Sequence, residues 1–229
     1  MTTCTYPSIP DKNASGDNFY GPSICWQAFV DYAWDVYGFS GNKNYWDDGF
    51  GWEDCCNTNL PLARTFNACY LLTYSASDYL NDSYSSSCLN WGRRLVREYT
   101  GDLRSLCGDG SAIATAYWGC GTDDRVELYL GFWYSEDVPS RAGTLVHEAR
   151  HMSGKSHNAN FPAGSVFGAG NSGADSSWGY EGAWMYDALY LWWFYAAGTR
   201  TTQAMRDLAR QRGNIIIDNA FETHPGYSI

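Results

Sequence analysis

Two histidines four residues apart, a glutamate directly after the first and a third histidine six residues past the second leave residues 144–157 little conformational choice. The residues are His147, Glu148, His151 and His157, with Gly154 between the last two histidines. On an α-helix His147 and His151 lie one turn apart and point from the same side, so both imidazoles can reach one metal ion. Glu148 sits beside that face, close enough to act on a water held by the ion without ligating it. Gly154 falls where a helix can stop, since glycine takes the left-handed conformation without a Cβ penalty. The chain can then turn back and bring in His157 as third ligand. Ala142, Leu145, Ala149 and Met152 recur at helical spacing on the other face and are expected to bury. The spacing therefore predicts an amphipathic helix over 141–153, with Pro139 and Ser140 at its start.

The rest of the chain is expected to enclose this helix. With 229 residues, 45% hydrophobic and 17% aromatic, it can bury a substantial core. We read one unit over 1–229: a disulfide-rich helical part, 1–120, followed by a strand, the site helix and C-terminal helices in 121–229. The expected class is α+β, helix-rich, with a small sheet beside the site helix. A net charge of −10 and only three lysines (Lys12, Lys43, Lys155) provide no cluster to neutralise phosphates, which argues against nucleic acid. The longest apolar run, 188–197, falls short of the roughly 20 residues a membrane span needs.

Eight cysteines (Cys4, Cys25, Cys55, Cys56, Cys69, Cys88, Cys107, Cys120) lie in the first 120 residues, none in a C-x-x-C pair. Their even number favours disulfides, and with them a secreted, extracellular or periplasmic location, over reduced buried thiols. The first residues have neither the basic nor the apolar region of a signal peptide, so a processed form is expected.

Along the chain, Ile24, Ala28, Tyr32 and Val36 predict a helix over 23–37 capped by Ser23. The loop 38–58 carries Asp47, Asp48, Glu53 and Asp54, a candidate Ca2+ site without EF-hand spacing. Helices are expected over 61–80 and 88–106, the latter with Leu95 and Tyr99 inward and Arg93, Arg94 and Arg97 outward. The β-branched and aromatic run 125–134 predicts a strand, either internal or at an edge where an extended peptide could add to it. A loop over 158–177, an apolar helix over 183–197, a helix over 202–212 and an apolar piece over 215–217 complete the reading. His224 is expected at the surface.

Every fixed position of the pattern H-E-x-x-H-x-x-G-x-x-H is filled by His147, Glu148, His151, Gly154 and His157. Three imidazoles suit zinc and leave a fourth tetrahedral position for water, whose pKa zinc lowers towards roughly 7. Glu148 is then the general base that passes the proton to the leaving amine. Tyr180 and Tyr186 are candidate donors to an oxyanion, and Glu181 is an alternative third ligand. Residues 147–157 resemble the zinc-binding consensus of the metzincin metallopeptidases. The resemblance implies zinc at His147, His151 and His157, Glu148 as base, and a zinc metalloendopeptidase acting on protein or peptide substrates; a monomer is expected. Metzincins also place a methionine in a turn beneath the metal; here the match is Met185, which lacks the preceding serine and has its tyrosine one place early. Two other functions fit the residues: a zinc hydrolase of a cell-wall or glycan-linked amide, and a non-enzymatic binding module in which eleven tryptophans form the ligand surface around a structural metal.

Overall fold

The computed structural model describes residues 27–41, 50, 51, 57, 59–75, 88–105, 112–121, 123–198 and 201–229. The Ser23 cap, the acidic loop residues Asp47, Asp48, Glu53 and Asp54, and Cys4, Cys25, Cys55, Cys56 and Cys107 lie outside the described residues. The fold is α+β and helix-rich. Helix α1 (Gln27–Val36) buries Phe29, Ala33 and the following Tyr37, while Tyr32 and Val36 are only partly covered. The buried stripe is thus one position round from the expected one. Phe29 sets it, lying with its ring centroid 5.0 Å from that of Tyr70 and 6.4 Å from that of Phe66 on α2 (Pro61–Tyr74). Helix α2 begins on its proline, where a missing N–H costs nothing, and is buried from Pro61 to Thr73. It ends at Tyr74, short of residue 80.

Helix α3 (Cys88–Tyr99) also ends earlier than its periodicity suggests, because the chain turns at Gly101, φ +65°, into strand β1 (Leu103–Ser105). Leu95 is buried as expected. Arg93, expected outward, is fully enclosed, and its Nη1 donates to the Thr73 carbonyl at 3.0 Å. Strands β2 (Ala114–Tyr117) and β3 (Arg125–Leu128) complete a sheet in the order β1-β3-β2, with β1 parallel and β2 antiparallel to β3. The predicted strand over 125–134 therefore stops at Leu128 and is internal, and Leu130–Tyr134 forms the short helix α4. Buried arginines explain the switch: Arg64 Nη1 donates to the Trp133 carbonyl at 2.5 Å and Arg141 Nε to that of Phe132 at 3.1 Å. Trp133 Nε1 donates to Thr65 Oγ1 at 3.0 Å. These tertiary contacts outweigh the β propensity of the aromatic run.

Asp137 caps α5 (Val138–Met152), accepting the Ser140 N–H at 2.9 Å. Ala142, Leu145 and Ala149 are buried and Met152 partly so, as the apolar spacing requires. The loop over 158–177 contains a two-stranded hairpin, β4 (Ala159–Asn160) and β5 (Ser172–Ala174). Helix α6 (Ala183–Ala197) has the expected limits. Helix α7 (Gln203–Asn219) runs on through 215–217 without a break, because Gly213 faces the Trp192 indole where any Cβ would lie 2.6 Å from the ring. Helices α2, α3, α6 and α7 all pack on α5, with β2 across its ligand-bearing face.

The disulfide staples expected in the N-terminal half are not supported. Cys69, Cys88 and Cys120 are unbridged, and no disulfide occurs among the described residues. Cys69 is wholly buried in α2, and burial pushes the Cys88 thiol up to about 12. Aromatic packing of Phe29, Phe66, Tyr70 and Tyr74 joins α1 to α2. No helix among the described residues is long and apolar enough to cross a membrane.

Candidate metal centre

The three histidines meet as their spacing requires. Gly154 adopts φ +94°, ending α5 and reversing the chain so that His157 returns to the helix. The Nε2 atoms of His147, His151 and His157 form a triangle with sides of 3.1, 3.1 and 3.3 Å. Ligands about 2.0–2.1 Å from a tetrahedral ion stand roughly 3.3 Å apart, so the triangle has the right size for one.

Proton placement makes the same point. His151 Nδ1 lies 2.6 Å from the Lys155 carbonyl, which only accepts, so Nδ1 carries the hydrogen. His157 Nδ1 lies 2.9 Å from Asp175 Oδ1 and is a donor for the same reason. In the neutral rings the Nε2 atoms of both therefore present lone pairs to each other, a repulsive arrangement that a cation at the centre turns into ligation. Burial, then the neighbouring rings, lowers the pKa of His147 and brings His151 down to about 4. His147 and His151 are thus held neutral, as metal binding demands. This buried three-histidine group can hold a metal ion.

Two carboxylates stand behind the ligands. Asp175 is fully buried; besides holding His157 it accepts the Trp184 N–H at 3.1 Å. Asp187 on α6 brings Oδ2 to 3.9 Å from His147 Nδ1. Both approaches need a glycine: a Cβ on Gly143 would collide with the Asp187 carboxylate and one on Gly182 with that of Asp175. Tryptophans wall the rings. Trp118 stacks on His151 with centroids 5.6 Å apart, and Trp184 lies edge-on to His147 at 4.4 Å and stacked on His157 at 5.8 Å.

The triad opens into a cavity of about 470 Å³ whose lining includes Glu148, Thr144, Asp187 and the β2 residues Ala114 to Ala116. Burial, with Asp187 and Glu136 adding to it, pushes the Glu148 carboxyl up to about 8; a hydrogen bond from the Ala116 N–H pulls the other way. Among the described residues β2 is the outer strand of the sheet on this side. Tyr129 N donates to the Ile113 carbonyl at 3.1 Å, so by alternation Thr115 and Tyr117 bond towards β3, while Ala114 and Ala116 direct theirs outward.

The other residues singled out in the sequence lie elsewhere. Tyr180 does not line the cavity; its hydroxyl donates to the Ser156 carbonyl at 2.7 Å, steadying the turn before His157. Tyr186 sits in a separate groove between α3 and α6, against Trp91 at 4.2 Å and beneath the Arg150 guanidinium at 4.2 Å. Met185 and Glu181 line that same groove, and Glu181 is not part of the ligand group. The aromatic wall against the triad comes from Trp184, one residue before Met185. His224 is exposed and pairs with Asp218 at 3.2 Å. Sequence reasoning missed Asp175, Asp187, Trp118 and Trp184. Only Asp187 carried a signal, as the one charged residue within α6.

No family model, no curated protein and no solved structure matches the chain.

Proposed function

We propose that the protein is a zinc-dependent metallopeptidase, metzincin-like in residues 147–157, that hydrolyses peptide bonds of extended substrates. The observation that carries this reading is the enclosure of a three-imidazole cradle and the buried carboxyl of Glu148 in one cavity beside β2, the outer strand of its sheet among the described residues. Zinc bound at the triad supplies a Lewis acid and a more acidic water. Glu148 moves the proton, taking it from water and returning it to the leaving amine. Its high pKa in the empty cradle falls when positive charge occupies the triad, because a nearby cation favours the carboxylate. The Ala116 N–H holds that carboxylate in place.

The strand addition envisaged for β3 moves to β2. The Ala114 backbone and the Ala116 carbonyl face outward above the triad, and an extended peptide can pair there. Trp118 and Trp184 already stack on imidazoles, which favours a peptide over a sugar ring as occupant. Replacing the carboxyl by an amide is the test. Glu148→Gln should retain the metal and lose about 10²–10⁴-fold in peptide hydrolysis. A variant that cleaves as fast as the parent would sink the assignment of Glu148.

A further inference from the structure

The lining of the cavity also includes Thr144, one turn up α5 from His147 and Glu148, together with Glu136 and Arg212. These three form a built wall. Thr144 Oγ1 donates to Glu136 Oε2 at 2.8 Å, and Arg212 Nη2 donates to Glu136 Oε1 at 3.1 Å, so both carboxylate oxygens are engaged. The guanidinium also lies over the Phe167 ring, 5.3 Å from its centroid. Arg212 is therefore held from two sides, with its orientation fixed before anything binds.

Its hydrogen bonding is nevertheless incomplete. A guanidinium has five N–H donors, and among the described residues Arg212 gives only the one to Glu136. Its Nε is enclosed without an acceptor, while 21% of the side chain stays open. Asp187 and Glu148 line the same cavity but are more enclosed, so the guanidinium is the charge an occupant meets. A basic side chain drawn in by the acidic groups would have to stand beside this guanidinium and a cation at the triad, which like-charge repulsion opposes. A carboxylate matches the planar fork.

We propose that Arg212 is a specificity-determining residue and binds a carboxylate of the substrate in the part of the cavity lined by Thr144 and Glu136. The carboxylate is an acidic side chain beside the scissile bond or the substrate's C-terminus. This deepens the peptidase reading and rests on it.

The test compares peptides that differ only as Glu or Gln, or Asp or Asn, at each position flanking the cleaved bond, each with a free and an amidated C-terminus. The metal-loaded protein should favour the acid over its amide about ten- to hundredfold in kcat/KM, the range of a charge-assisted hydrogen bond. The free-versus-amidated pairs tell a terminal carboxylate from a side chain. In the double variant Arg212→Gln, Glu136→Gln, which removes both members of this ion pair together, the acid-to-amide ratio should fall to about one whatever the absolute rate. Binding of the same peptides to the Glu148→Gln protein gives a readout free of turnover. If the parent cleaves no peptide, the peptidase reading fails, and the binding ratio still decides the role of Arg212. Equal binding of acid and amide, an unchanged ratio in the double variant, or a preference for lysine or arginine would each overturn the proposal.

Discussion

Helices α5 and α6 are both fifteen residues long and lie against each other at the centre of the molecule, yet they make the metal centre in different ways. Helix α5 supplies two ligands and the candidate base at fixed intervals, so its contribution is a matter of spacing. Helix α6 supplies no ligand. It brings Trp184 against two of the rings and Asp187 behind His147, and both positions depend on how the helices pack. A ligand set is thus local, whereas the orientation and proton state of those ligands belong to the tertiary structure.

Changes on α5 should separate from changes on α6 by size. His147→Ala should abolish metal binding at micromolar metal, read by chelator competition, because two imidazoles do not complete the cradle; retained affinity would mean that the ion sits elsewhere. Asp187→Asn on α6 should weaken affinity by about 10–100-fold while the fold stays intact. Gly143→Ala should act in the same direction from the α5 side, since its methyl displaces the Asp187 carboxylate, and should cost about 1–3 kcal/mol in denaturant unfolding. If Gly143→Ala lowers stability but leaves affinity untouched, Asp187 does not support His147.

The pH dependence of the metal-free protein separates the buried carboxyls from the imidazole ligands. Glu148 and Asp187, each pushed up to about 8 mainly by burial, have folded pKa values above their unfolded ones of about 4. Their protonated forms therefore contribute stability that is complete below about pH 4 and is lost as pH rises through about 8. His151, brought down to about 4, acts oppositely: the unfolded chain takes up its proton below about 6.5 and the folded chain resists, so stability falls as pH drops from there to about 4. Unfolding curves of metal-free Glu148→Gln should accordingly lose less stability than the parent between pH 5 and 8. Parallel curves would show that the Glu148 carboxyl is not held protonated.

The same division explains what the sequence disclosed. His147, His151, His157 and the left-handed Gly154 were legible because an α-helix and one turn determine their positions, and α6 was legible because the run 188–197 is apolar throughout. Strand β1 was hidden by its length of three residues. The run over 125–134 reads as one strand, but Arg64 and Arg141, from distant segments, draw the carbonyls of its second half into a helix. Arg93 looked like one of three surface charges and is enclosed, because α2 presents the Thr73 carbonyl to it. Tyr180 and Tyr186 flank Met185 in sequence and carry hydroxyls suited to an oxyanion, but the turn at Glu181, φ 59°, helps to send them to different surroundings. Asp175 lies in a polar loop where nothing marks it until the fold places it on His157.

The most direct test of the metal centre is metal content by mass spectrometry on three purified proteins dialysed against the same trace-metal buffer: the parent, His151→Ala and Glu148→Gln. A cradle of three Nε2 atoms with Glu148 outside it predicts a single zinc ion per chain in the parent and in Glu148→Gln, and none in His151→Ala. Zinc retained by His151→Ala, or lost from Glu148→Gln, would contradict that assignment of ligands.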